Sequence, residues 1–418
     1  MISSLLLSAS LLAFPQGATV YVPDDYNSIQ IAINAVVAGD TVVVRPGTYS
    51  EYEISFGGKS ITLLAEMGPT QTTIDGTGAG SVFTFNGAES ADAILDGFSI
   101  TNGSAWDGGG ISITADSSGA PSSPTINNCV IEFNEGVGGG GGLALGGGSL
   151  SVISNCLIQD NFTSNYHGAG VVIFSSEPLF KNCTIRNNTS AGSGGGFAVW
   201  DTATIVTIRN CILTGNFPTN IDKIGAPTVR ARYSCLEGDL AQEWFGTGCI
   251  DADPMFVSGP LGDAYLSHIA AGQTADSPCI DAGKPTIDPY LSTRTDHGWD
   301  VGIVDMGYHY RDPNNVTLST TGVPGGPMTF DVAGGTATGP LVYLYAFGTG
   351  SYQATNPYTG NVVVTGLSAF HLTVADVVAA NASGGYSYSA TVPAAAAGVV
   401  FVQVLDGFTD RFSNVVGL

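Results

Sequence analysis

Four cysteines, Cys129, Cys156, Cys183 and Cys211, fall 27, 27 and 28 residues apart, and their neighbours repeat with them. The segments read NCVIEFN, NCLIQDN, NCTIRNN and NCILTGN. Asn precedes each Cys, Ile or Leu follows two residues later, and a second Asn follows five later (Asn134, Asn161, Asn188, Asn216). One period upstream, GFSITNG (97–103) puts Phe98 in the cysteine column and Ile100 in the isoleucine column. A fixed period of this length marks a stacked-repeat architecture. Cys and Ile alternate with variable residues, so a period of two turns both inward from a short strand. The partner of each strand is then the same strand one repeat later, about 4.8 Å away. The chain coils, and like side chains lie in files.

Each repeat also carries glycines ahead of a second apolar triplet: DGGGISI, GGGGGLAL, HGAGVVI and GSGGGFAV. These mark a corner where the backbone turns sharply and adjacent coils crowd together. No Gly-Lys-Ser/Thr follows any of them, which excludes a nucleotide loop. The asparagine column is expected to close the strand, taking left-handed backbone and bonding coil to coil through its amides. The four cysteines of the column read as small buried apolar residues rather than metal ligands, since their spacing matches no zinc pattern.

Composition narrows the function. The 418 residues carry 35 acids and 12 bases, for a net charge of −23, with only 11% charged residues. Such acidity opposes nucleic acid or an anionic membrane as partner, because both need clustered Lys and Arg. LLLSASLLAF (5–14), followed by PQGA, has the length of a signal-peptide core, so residues 1–18 are expected to direct export and the chain to be secreted or at the cell surface. No run is long enough for a membrane helix, so no transmembrane segment is expected.

With these columns in place, the chain resembles secreted right-handed parallel β-helix proteins of the pectate-lyase-like superfamily. The opening VYVPDDYNSIQIAINAVVAGDTVVVRPGTYSE (20–51) is similar to the start of that group, a helix followed by a strand. Ser28 suits the helix N-cap, with Ile29, Ile31, Ala32, Ala35 and Val36 as its apolar face. DADPMF (251–256), DSPCIDAG (276–283) and DVGIVDMGYHY (300–310) resemble the group's exit. The Cys-Ile-Asn and Gly-rich pairing is also similar to the repeats of polymorphic outer-membrane adhesins. The resemblance implies an all-β fold: a right-handed parallel β-helix with an N-terminal capping helix over 19–311. Short alternating strands over 316–418 suggest a small antiparallel β-sandwich after it.

The catalytic motifs of polysaccharide-cleaving β-helices are absent, there being no RxPxxR and no GHG turn with paired aspartates. The expected function is therefore non-catalytic binding of polysaccharide or a cell-surface glycan. Two other readings stay open, a polysaccharide lyase or glycoside hydrolase with an atypical site, and a structural spacer or filament subunit. Three residues after the cysteine column the outward row reads Thr101, Glu132, Gln159, Arg186 and Thr214. Glu132 and Arg186 stand about 9.6 Å apart along it, two strand spacings. With His167 they are the catalytic candidates if the chain is an enzyme. A sugar groove on this face would draw on Trp106, Asp107, Glu132, Glu135, Asp160, Tyr166, His167 and Arg186. No cofactor is required. Ten aspartates against three bases between 251 and 312 suit calcium as a structural ion. Cys235 and Cys249 flank a short loop that a disulfide would close in an exported protein.

Overall fold

A computed structural model of the chain describes residues 17–284, 291–296, 300 and 303–310, together with backbone strands between 317 and 417. The signal-peptide expectation falls mainly on residues outside these. The chain forms two compact units, Met1–Ile208 with Gly215–Arg230, and Arg209–Thr214 with Ala231–Leu418.

In the first unit the 27-residue period becomes a coil whose strands pair only with their counterparts one turn on, always parallel. The cysteine strands Ser99–Thr101, Val130–Glu132, Leu157–Gln159 and Thr184–Arg186 stack in one sheet, in register Ser99–Val130–Leu157–Thr184. A second sheet carries the triplets after the glycines, Phe83–Phe85, Ile111–Ile113, Leu143–Leu145, Val171–Phe174, Phe197–Trp200 and Ile221–Ile224. A third holds Thr62–Ala65, Ile94–Asp96, Thr125–Asn127, Val152–Ser154 and Leu179–Lys181. Phe98, Cys129, Cys156 and Cys183 are fully buried, and so are Ile100, Ile131, Ile158 and Ile185. Burial of each isoleucine contributes about 2 kcal/mol. The cysteines are indeed core residues. Burial raises the Cys156 thiol well above its ordinary value, and the flanking Cys129 and Cys183 thiols push it the same way.

The asparagines divide their labour differently from expectation. Asn134, Asn161 and Asn188 are buried and form the ladder: Asn134 Nδ2 donates to Asn161 Oδ1 (3.1 Å), Asn161 Nδ2 to Asn188 Oδ1 (3.0 Å), and Asn188 Nδ2 to Asn216 Oδ1 (2.9 Å). The left-handed backbone belongs to other positions. It falls on the Asn before each Cys (Asn128, Asn155, Asn182; φ 53°, 48°, 52°) and on the residue before each ladder asparagine. Asn134, Asn161 and Asn188 are themselves without positive φ, and the sharp bend falls one residue earlier, on Phe133, Asp160 and Asn187.

Among the five consecutive glycines, two show why the run exists. Gly140 has φ +59°, which only glycine adopts at little cost. A Cβ on Gly142 would sit 2.6 Å from the carbonyl of Gly170 in the next coil and 3.1 Å from the Asn161 amide. The same close approach recurs at Gly110, Gly170 and Gly196. The corner is narrow because the asparagine ladder fills it.

Helix α1 spans Ile29–Ala35. Ser28 Oγ accepts from Ile31 N (3.2 Å), and Glu51 accepts from the amides of Ile29 and Gln30 at its N-terminus. Lys59 Nζ donates to the carbonyls of Ile33, Asn34 and Val36 at the other end. Both charges complement the helix dipole. Its apolar face is Ile29, Ala32, Ile33 and Val36; Ile31 (49% exposed) and Ala35 face outward, a correction to the expected face. The buried set follows the i, i+3, i+4, i+7 spacing of one helix face.

In the second unit Cys235–Leu236 pairs parallel with Ile212–Thr214, and Phe256–Gly259 forms an antiparallel pair with Gly262–Leu266. Ile212, Cys235, Leu266, Cys279 and Met306 make a buried cluster. From Thr317 onward the described strands pair antiparallel, in sheets of three, five and two strands. Two of these strands, Thr317–Gly322 and Thr349–Thr355, lack the apolar alternation seen in Pro327–Ala333, where Met328, Phe330 and Val332 alternate with Thr329 and Asp331.

Asp239 is buried under Trp244, whose Nε1 donates to it (3.3 Å), and burial pushes its carboxyl up from 3.8 to about 6. The folded chain therefore holds a proton that the unfolded chain has released. Stability is highest below the unfolded value, falls as pH rises toward about 6, and stays lower above it. Asp239→Asn is expected to flatten that fall and to add about 2 kcal/mol at pH 8, read from urea unfolding at a series of pH values.

Candidate functional site

Past the cysteine strand each coil turns a corner. Its first residue, Asn102, Phe133, Asp160 or Asn187, has φ between 53° and 56° and points its side chain outward. Two residues on, a short fourth sheet begins, with Ser104, Glu135, Phe162 and Thr189 in register. Between these two columns lies an open cleft of about 520 Å³, lined by Asp75, Asn102, Ser104, Phe133, Glu135 and Phe162 among others. Phe133 is 55% exposed and Phe162 43%.

Phe133 is the unusual residue. Neighbouring coils place Asn or Asp at this bend, the residues that tolerate left-handed backbone, whereas a phenylalanine there costs about 1–2 kcal/mol. A strained backbone holding an aromatic ring out into solvent, next to a second exposed ring, is a feature that packing does not account for. Asp75 accepts from the Thr77 amide (2.8 Å) and Glu135 from Ser104 Oγ (3.2 Å). No lysine or arginine lines the described cleft.

Of the residues expected from sequence, Glu135 lies in this cleft. Trp106 (64% exposed) sits two residues beyond Ser104 on the same strand, its ring against Gly138, where a Cβ would be 2.5 Å from Nε1. Tyr166 is 6.2 Å from Trp106, and His167 is 5.5 Å edge-on from Trp200. The Ser193 amide donates to His167 Nδ1 (2.9 Å), which leaves the neutral ring's hydrogen on Nε2. Ser193 Oγ donates in turn to Asp222. Asp107 pairs with Gly139, and burial raises its carboxyl. Asp160 occupies the left-handed bend of its own coil.

The expected groove at Glu132 and Arg186 is not an open face. Gln159 Nε2 donates to Glu132 (2.6 Å) and Arg186 Nε donates to Gln159 Oε1 (2.9 Å), with Gln159 only 8% and Arg186 6% exposed. Parallel register places complementary groups one strand spacing apart, and they satisfy each other. His167 is held apart from this ladder by Ser193 and Trp200.

In the second unit the carboxylates of Asp281, Asp300 and Asp305 lie within 4.8 Å of one another. Chain donors already engage them. His309 Nε2 and the Asp305 amide bond Asp300 (2.8 and 2.7 Å), while His268, Thr293 and the Asp281 amide bond Asp305. Burial alone would raise Asp305, but those bonds, led by His268, hold it below the usual carboxylate range. The expected Cys235–Cys249 disulfide is not formed, and all seven cysteines are thiols. Cys235 stands in register with Ile212, so it points outward into the cluster with Cys279, while Ser234 accepts from the Cys211 amide (3.1 Å).

Residues 70–229 match the family model for the right-handed β-helix region. No curated protein and no solved structure matches the chain. The stacked parallel register and this match make the chain a parallel β-helix repeat protein.

Proposed function

We propose that the chain binds polysaccharide, without cleaving it, in the cleft beside Phe133. The observation that carries this is the Phe133 ring itself, held outward by a backbone conformation that disfavours it, with Phe162 beside it. Flat aromatic faces stack on the apolar faces of sugar rings, and carboxylates accept from sugar hydroxyls. Asp75 and Glu135 supply those acceptors. With no cation lining the cleft and a net charge of −23, the fitting ligand is a neutral glycan, since an acidic one would be repelled.

Titration calorimetry with neutral hexasaccharides of glucose, xylose and mannose, and with polygalacturonate, tests the proposal. Binding of a neutral oligosaccharide that Phe133→Ala weakens about tenfold, or ~1.4 kcal/mol, is the expected result. Phe133→Asn should lose the same affinity while gaining about 1 kcal/mol of stability, because it relieves the bend. No binding by any neutral glycan would refute the proposal. The raised Asp107 carboxyl beside Trp106 favours one second reading, hydrolysis with Asp107 as proton donor. Release of reducing ends that Asp107→Asn abolishes would put that reading in place of simple binding.

A further inference from the structure

We propose that Cys235 and Cys279 are a redox pair that closes to a disulfide within the second unit. Both residues are fully buried in one cluster with Ile212, Leu266 and Met306; Cys235 lies in the strand Cys235–Leu236, and Cys279 lies in a turn outside any strand. Both backbones are pinned. Cys235 N donates to the Cys211 carbonyl (2.9 Å) and the adjoining Leu236 N to that of Ile250 (2.9 Å). Cys279 N donates to Ser277 Oγ (3.1 Å), and its carbonyl accepts from Met306 N (2.9 Å). Ser277 is tied to the Pro254 carbonyl (2.7 Å), and Cys235 Sγ to that of Ala252 (3.1 Å), so one short stretch of chain registers both cysteines.

The stacked cysteines of the first unit do not share this geometry. They project in the same direction from parallel strands about 4.8 Å apart, beyond the roughly 3.8 Å between Cβ atoms that a disulfide needs. Cys249, the partner expected from sequence spacing, lies half-buried in the turn after Gly246.

The chemistry is thiol–disulfide exchange with a small oxidised disulfide such as oxidised glutathione. The Cys235 thiolate attacks one sulfur of it, and one small thiol leaves. The Cys279 thiolate then attacks Cys235 in the mixed disulfide, and the second small thiol leaves. Two electrons pass to the glutathione couple, and the two protein thiol protons end on the released thiols. The Cys279 thiol hydrogen-bonds the Cys235 sulfur, which puts the two sulfurs within reach of each other for the second exchange step. Because both sulfurs are buried, exchange proceeds through opening of this segment or before it docks.

The test is equilibration of the full-length chain in glutathione buffers of graded ratio, acid quenching, alkylation of the quenched chain in denaturant, and peptide mapping without reductant. The expected result is loss of two of the seven alkylatable thiols, a mass decrease of two hydrogens, and one linked peptide pair carrying Cys235 and Cys279. Cys249→Ser should leave that link intact, and Cys279→Ser should abolish it. A Cys235–Cys249 link, a link within the Cys129–Cys156–Cys183 stack, or seven free thiols at every ratio would each overturn the proposal. The pairing should scramble when oxidation is carried out in guanidinium, and persistence of one pairing there would show that local chain proximity, not the folded cluster, dictates it.

Discussion

Asn161→Ala is expected to destabilise the coil by about 4 kcal/mol, the sum of several buried polar groups left without partners at about 1–3 kcal/mol each. The Asn161 side chain donates to the Ile131 carbonyl and to Asn188 Oδ1, and accepts from both the backbone amide and the side-chain amide of Asn134. All of these groups are shut away from water, so no solvent can replace the lost amide. Asn187→Ala provides the contrast. Asn187 is exposed on the bend, and its loss should cost only about 1 kcal/mol through backbone preference. Urea unfolding followed by circular dichroism measures both, and equal costs for the two variants would mean that the ladder adds nothing beyond its bend.

Gly142→Ala should cost about 3 kcal/mol, at the upper end of overpacking penalties. The clash is with backbone, the Gly170 carbonyl at 2.6 Å, and with the Asn161 amide, so no side chain can swing away to relieve it. Coil spacing would have to widen locally, which strains the hydrogen bonds Gly142 N to Ala169 O and Leu143 N to Gly170 O, both 2.9 Å. Gly146→Ala, whose added carbon would meet only the Ile113 carbonyl at 3.9 Å, is expected to be nearly neutral. A Gly142→Ala variant as stable as Gly146→Ala would show that the corner yields.

The period in the sequence made the interior legible, because stacking converts a repeat into files of like residues. Phe98, the cysteines and the isoleucines needed no more than alternation to be placed inside. The cleft was not legible for a related reason. Phe133 and Phe162 interrupt polar columns, in EFNEG and DNFTS, and an apolar residue in a polar column looks like variation until the bend's φ shows that it must point outward. Glu132 and Arg186 misled because a row of polar residues on paper can be self-satisfied in space, as Gln159 makes it here. Cys235 misled because the alternation slips where Ser234 takes the place a cysteine held before, so the next thiol turns outward to Cys279.

The asparagine ladder has an evolutionary consequence. Asn134, Asn161 and Asn188 each present the same acceptor on one side and the same donors on the other, so every rung is interchangeable with the next. Duplication or excision of one whole period leaves all the joints chemically identical, whereas a gain or loss of a few residues at the bend breaks two rungs at once. Genes of this kind can lengthen or shorten their product in quanta, and selection for reach or binding area can act on the number of turns without redesigning any of them.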